Sequence, residues 1–354
     1  MVKKYEILIL GASYGSLLGI KLALAGHNVD LVCLPEEVEL INQEGAVVRL
    51  PIRDRNTVVE LSSKDCDGIL SALGPNDVDL KKYDLIALAM QEPQYGSDEI
   101  AKLLKDIGQS KLPCMSIMNM PPLPYIARIE NLDTSKLHGA YTKPDVWQYF
   151  DPNFMTLCSP DPQAFRPPDE KINVLQVGLP TNFKVARFPS DGQTEILRSL
   201  QADIENIKYN HEGEMIELPV KLKVHESIFV PLAKWSMLLA GNYRCVKPEN
   251  AVAIKEAVHA DIDLSKKIYQ WVSSIAIELG AIETDQVPFE KYAAAAESLI
   301  RPSSAARALF SGAKNIERVD KLMKLIATQM GKDTSIIDPI ITEVDRRLEI
   351  NRNS

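Results

Sequence analysis

ILILGASYGSLLGIKLALAGHNVDLVCLP, residues 7–35, decides the fold. Four apolar residues, Ile7 to Leu10, run into Gly11. A stretch of helical composition follows and ends at Gly26-His27, and NVDLVCL then reads as a second strand. A strand that reverses into a helix and returns as a parallel neighbour needs a tight turn. If that turn also holds an anion on the helix N-terminus, a side chain there would block the approach. Gly11 supplies the tight turn, Ser13 is small, and Gly15 lets helix and strand pack closely. The spacing departs from G-x-G-x-x-G, because the glycines stand at 11 and 15 with Ser13 between them.

The rest of the chain extends this alternation. Apolar strands end at Leu10, Leu34 and Met90, another fills residues 115–120, and helical periodicity covers 97–108. Such βαβ order predicts a parallel sheet covered on both faces. Residues 144–170, rich in Pro, Asp and aromatics, read as irregular. KINVLQVG and NFKVARF read as a hairpin, and Ser190 opens a helix. From Ser227 the periodicity is helical almost throughout. The expected architecture is α/β: a Rossmann-type dinucleotide-binding domain over 1–222, followed by an all-α domain over 223–354.

Composition narrows the function classes. The 354 residues are 45% apolar and 25% charged, with a net charge of −8. That balance implies neither a nucleic-acid partner nor an anionic membrane surface, and no apolar run approaches the roughly 20 residues of a membrane span. Cys33, Cys66, Cys114, Cys158 and Cys245 never fall in C-x-x-C spacing, which points to a reducing, cytoplasmic compartment. The five histidines show no ligand spacing, so no metal site is expected. Coenzyme choice is read at the end of the second strand, where Leu34-Pro35-Glu36-Glu37 offers Glu36 or Glu37 to the ribose hydroxyls. No Lys or Arg follows until Arg49, with Arg53 and Arg55 farther on.

The order of these signals resembles the ketopantoate reductase family of 6-phosphogluconate-dehydrogenase-like enzymes. Four patches carry the likeness: LGASYGSLLGIKLALAGHNVDL, AMQEPQYGSDEI (89–100), SIMNMPP (116–122) and HESIFVPLAKWSMLLAGNYRC. In the second, Gln91 and Gln94 stand where the family has a Lys and a Gln. In the third, Asn119 matches and Met120 replaces a Gly. In the fourth, Lys234 and Asn242 keep the family spacing while Leu238 replaces an Asn. Ser303 and Ser304 match a Ser-Ser pair. Counting back from Gly331 puts the family's site Glu near Asn315, with Glu317 two residues away. Residues 209–222 look inserted.

The resemblance implies an NAD(P)H-dependent reductase of a 2-keto acid. Gly11, Ser13, Tyr14, Gly15, Glu36, Gln91, Gln94 and Asn119 are its coenzyme candidates. Lys234, as general acid, with Asn119 and Asn242 forms the catalytic set. Asn242, Ser303, Ser304, Arg307 and Asn315 are the substrate candidates. Leu238 and Asn315 argue against ketopantoate itself. By residue type alone, Lys234 reads as a surface lysine, Asn242 as a helix C-cap and Ser303 or Ser304 as an N-cap. The expected partners are a small keto or imino acid and, for assembly, a second copy of the chain. Two other readings stay open: a non-catalytic dinucleotide sensor or scaffold on a reductase fold, and an opine- or imine-type dehydrogenase.

Overall fold

The computed structural model describes residues 3–52 and 57–354, so Arg53 and Arg55 lie outside the described residues. The chain forms two compact units. The first holds residues 1–90, 97–118 and 146–226; the second holds 91–96, 119–145 and 227–354. The sequence expectation divides the chain after residue 222. The units part after Glu226, and two earlier segments also belong to the helical unit.

The strands of the first unit are β1 (Glu6–Leu10), β2 (Asn28–Val32), β3 (Val47–Ile52), β4 (Thr57–Ser62), β5 (Leu70–Leu73), β6 (Leu85–Leu88) and β7 (Cys114–Ile117). They continue with β8 (Met155–Ser159), β9 (Gln163–Phe165), β10 (Val174–Leu179), β11 (Phe183–Ala186), β12 (Lys208–His211), β13 (Glu214–Glu217) and β14 (Leu222–His225). The main sheet runs β14-β11-β8-β7-β6-β1-β2-β5. From β5 to β8 every pairing is parallel. Chain order therefore reverses between β1 and β6, and such a switch point opens a crevice at the strand C-termini. Ile7 to Leu10 are all essentially inaccessible. Cover on both faces explains why β1 reads as a continuous apolar run with no alternation.

Two expectations fail here. The stretch read as irregular contains β8, a fully buried strand parallel to β7. Its MTLCS lacks alternation and is hidden between Pro- and Asp-rich flanks. Nor do β10 and β11 form a hairpin. β10 joins a second sheet, β4-β3-β10-β9, while β11 pairs with β8 and β14 in the main sheet. The β3 partner of β10 lies more than a hundred residues away, and so distant a pairing leaves no local signature. The apparent insertion is partly a hairpin, β12 with β13, turned through Glu212 and Gly213 at positive φ.

The second unit is helical, as its periodicity requires. Its longest helix, Ile262–Glu278, is capped by Asp261, whose carboxylate accepts the Leu264 N–H at 2.9 Å. Among the described residues no helix is long and apolar enough to cross a membrane.

One cation is enclosed in the first unit. Lys21, on the helix Tyr14–Leu24, is 1% exposed, and its ammonium donates to the Pro219 carbonyl at 3.1 Å. Burial, with Lys221 nearby, pulls it down to about 7. Between about pH 7 and 10 the unfolded chain therefore holds a proton that the folded chain has released. Stability rises with pH across that window, by up to about 1.4 kcal/mol per unit. Lys21→Met should be more stable than the parent at pH 6–7, and the gap should close toward pH 10. Urea midpoints over that range check this; a gap independent of pH contradicts it.

Candidate active site

The geometry of the Gly turn fits an anion. Gly11 has φ +106°, and its N–H donates to the Val32 carbonyl at 2.8 Å. A Cβ on Gly11 would stand 2.8 Å from the Ala89 carbonyl oxygen, at the mouth of the switch point. A Cβ on Gly15 would meet Ile9 Cγ2 at 2.9 Å, so this glycine lets the helix lie against β1. Ser13 stands at the N-cap without making a side-chain cap, and the first turn holds no acidic residue. No side-chain cap or carboxylate therefore competes with a phosphate for the positive end of this helix. Tyr14 is half-buried and tied down, its hydroxyl donating to the Pro162 carbonyl at 2.8 Å.

At the end of β2 the two glutamates separate. Glu37 is buried, accepts the Leu34 N–H at 3.0 Å and pairs with Arg166. It closes its own helix, which leaves exposed Glu36 as the acidic group open to a ribose. Arg166 comes from a remote segment, so the sequence near β2 gave no sign of a cation here.

The second unit gathers a different set of groups. Glu317 is its centre. The Tyr243 hydroxyl donates to the Glu317 carbonyl at 2.6 Å and accepts the Val319 N–H at 3.0 Å, gripping the main chain on both sides of Arg318. Arg318 is itself held by Asp320 through two bonds, at 2.8 and 2.9 Å, and by Asp345. The Glu317 side chain hydrogen-bonds Asn119 and takes the Glu92 N–H at 3.3 Å. Part of the residue reaches solvent, yet the carboxyl is surrounded by protein. Burial pushes it up to about 7. The Glu92 N–H, the Asn119 amide and the Lys234 charge pull it down, while the Glu92 carboxylate adds to the rise. Asn119 keeps its Oδ1 buried, with no hydrogen-bond partner among the described residues. An acceptor left unpaired beside a carboxyl and a lysine could take a donor from a ligand.

Lys234 is half-buried and opens the short helix Lys234–Met237. The next turn, Leu238–Asn242, is widened to a π-helix. A Cβ at Gly241 would stand 2.0 Å from the Tyr292 hydroxyl oxygen, and that hydroxyl donates to the Met237 carbonyl at 3.1 Å. A side chain pressed into the helical ladder accounts for the widening. Leu238 is buried. Asn242 is half-buried, and its carbonyl accepts the Ser303 hydroxyl at 2.7 Å.

The structure does not bring every expected residue to this cluster. Asn315 is exposed, and its Oδ1 accepts from Arg352 at 2.9 Å; the carboxyl that meets Asn119 is Glu317. Ser303, 2% exposed, donates to Asn242 and accepts the Ala306 N–H at 3.1 Å, so it is a helix cap with both roles taken. Ser304 is exposed, as is Arg307, which donates to the Pro302 carbonyl. Gln91 and Gln94 are exposed and close a turn on each other: the Gln91 N–H donates to Gln94 Oε1 at 2.9 Å. Between them stands buried Glu92, which sequence reasoning passed over. Glu317 had left a signal, being the first carboxylate after Glu297. Among the described residues no group of three His, Cys, Asp or Glu is placed to hold a metal ion.

No family model matches the chain, and no curated protein matches it in sequence. Solved structures match it over nearly its full length. D-mandelate dehydrogenase, in a ternary structure with NADH and anilino(oxo)acetate, is 16% identical with TM-score 0.64, over 98% of this chain and 99% of that one. A putative ketopantoate reductase from Ralstonia solanacearum is 13% identical with TM-score 0.66, over 99% of each chain. A dimeric ketopantoate reductase from Staphylococcus aureus is 9% identical with TM-score 0.62, over 98% of this chain and 99% of that one. At such identities the likeness is one of fold, and the fold is that of these enzymes: a Rossmann-type sheet domain with a helical C-terminal domain.

Ser303→Ala should cost about 1 kcal/mol of stability through the lost cap, whereas Ser304→Ala should stay within about 0.5 kcal/mol. Denaturant unfolding of the two variants separates them; equal effects would contradict the capping role.

Proposed function

We propose that this chain is an NAD(P)H-dependent reductase of a 2-keto acid, with Lys234 as proton donor. The observation that carries the reading is the Glu317 carboxyl, raised to about 7 and joined to Asn119 and to the charge of Lys234. Carbonyl reduction asks for a cation to meet the charge that grows on oxygen, and for a group that can give a proton near neutral pH. The likeness to D-mandelate dehydrogenase bound to NADH and an oxo acid supports the same chemistry.

The Gly11–Gly15 turn would hold the coenzyme pyrophosphate, and Glu36 the ribose. When bound, the nicotinamide supplies the hydride. The remaining work falls to the side chains of the helical unit. Lys234 holds a proton at the carbonyl oxygen and polarises that bond. Asn119 Oδ1 accepts from an amide or hydroxyl donor of the ligand while its amide nitrogen steadies Glu317. Glu317, able to carry or release a proton near pH 7, balances the charge of Lys234 as that proton moves. Assigning the site carboxyl to Glu317 removes half of the sequence argument against ketopantoate, which rested on a neutral Asn315. The other half rests on Leu238: a buried leucine cannot donate where an amide is expected, and an unpaired polar group costs about 1–3 kcal/mol. A 2-keto acid with an apolar side chain is therefore the substrate class proposed. A homodimer, as in the Staphylococcus aureus enzyme, is the assembly proposed.

A panel of 2-keto acids, followed by nicotinamide absorbance, tests the reading. Apolar members should surpass ketopantoate in kcat/KM. Lys234→Ala should lose roughly a hundredfold or more in turnover on the best substrate, with coenzyme affinity retained. Near-normal turnover by Lys234→Ala removes its role, and ketopantoate as best substrate removes the argument from Leu238.

A further inference from the structure

Glu92 has no place in the chemistry above, yet its burial needs a reason. It is 2% exposed, between exposed Gln91 and Gln94, in a six-residue segment that joins the helical unit. Its carboxylate accepts the Thr142 N–H and the Thr142 hydroxyl, each at 2.9 Å, and the Lys143 N–H. Its own N–H donates to Glu317 Oε1 at 3.3 Å. One residue thus binds segment 119–145 with its side chain and Glu317 with its main chain. We propose that Glu92 is a positioning residue: its Thr142-bound carboxylate fixes the main-chain N–H that holds Glu317 within reach of Asn119 and Lys234. This rests on the reductase reading of that cluster.

The arrangement has an electrical consequence. The groups facing Glu317 are Glu92, Lys234 and the neutral Asn119, with Tyr243 on its carbonyl; Arg318, next in sequence, is engaged by Asp320 and Asp345. Tyr141 lies near Glu92, and burial raises both tyrosines well above their ordinary value, so neither ionises near neutrality. Among the described residues Glu92 is therefore the one like charge acting on Glu317, and its three donors favour the anion although burial raises it. A merely structural Glu92 would stabilise the segment. A Glu92 that also acts on Glu317 must move the titration of Glu317.

The experiment is a carboxyl-carbon NMR titration of the full chain, with Glu317 assigned through Glu317→Gln, alongside the pH profile of kcat/KM. In Glu92→Gln, which keeps the shape and removes the charge, the Glu317 midpoint should fall by about half a pH unit or more, roughly threefold in ionisation constant. Glu92→Asp keeps the charge but draws the carboxylate back from Thr142, so the Glu92 N–H should lose its hold and the Glu317 midpoint should rise. An unmoved midpoint in folded Glu92→Gln, or a folded Asp variant whose midpoint does not rise, overturns the inference whatever the activity. A moved midpoint in a protein that reduces no 2-keto acid upholds the coupling and overturns the reductase reading. The acid limb of kcat/KM moving with the NMR midpoint supports both.

Discussion

The arrangement of the helical unit turns on taking the Glu317 carboxyl out of water. An ionised carboxylate is costly to bury alone. Here three partners from three segments offset part of that cost: the Glu92 N–H, the Asn119 side chain and the charge of Lys234. None of these is a sequence neighbour of Glu317, so each segment must be brought to it. The Tyr243 hydroxyl fixes the main chain at Glu317 and Val319, and the Arg318–Asp320 pair fixes the residue between. The widened turn at Leu238–Asn242 belongs to the same helical run as Lys234 and Tyr243, and local irregularity of this kind gathers where function needs a side chain aimed.

The first unit answers to a different constraint, closeness of backbone. β1 ends against the backbone of Ala89, just past β6, so closely that a Cβ at Gly11 would collide with the Ala89 oxygen. The helix that follows lies on β1 and β2 through Gly15. These approaches leave a helix N-terminus without a side-chain cap at the switch point of a parallel sheet. That combination suits a diphosphate whatever the exact glycine spacing. The missing second glycine of the usual fingerprint therefore costs little when the residue there is as small as Ser13.

Much of this was legible in the sequence, and the rest was hidden for reasons that can be named. The strand, turn, helix and strand of residues 7–35 appear where the pattern put them, because every contact they need is local or with another apolar strand. The helical periodicity after Ser227 held for the same reason. β8 was missed because a short buried strand carries no alternation. The supposed hairpin failed because β10 finds β3, far away in the chain. Of the residues gathered around Glu317, Lys234 and Asn119 are ones the family pattern names. Counting along the chain then pointed to Asn315, whereas the group that reaches Asn119 is Glu317, two residues on. Ser303 had a capping alternative from the start, and its hydrogen bonds satisfy that role completely. Glu92 and Arg166 left no trace in sequence, since burial of one and pairing of the other exist only once distant segments meet.

The central claim is that Lys234, Asn119 and Glu317 surround the carbonyl of a 2-keto acid. A crystal structure of the protein with NAD(P)H and a non-reacting oxo-acid analogue tests it most directly. The Lys234 ammonium should lie within hydrogen-bond distance of the analogue's keto oxygen, with Asn119 Oδ1 paired with a ligand donor and the pyrophosphate at the helix N-terminus after Gly11. A coenzyme on that turn with the analogue bound away from Lys234 and Glu317 would contradict it.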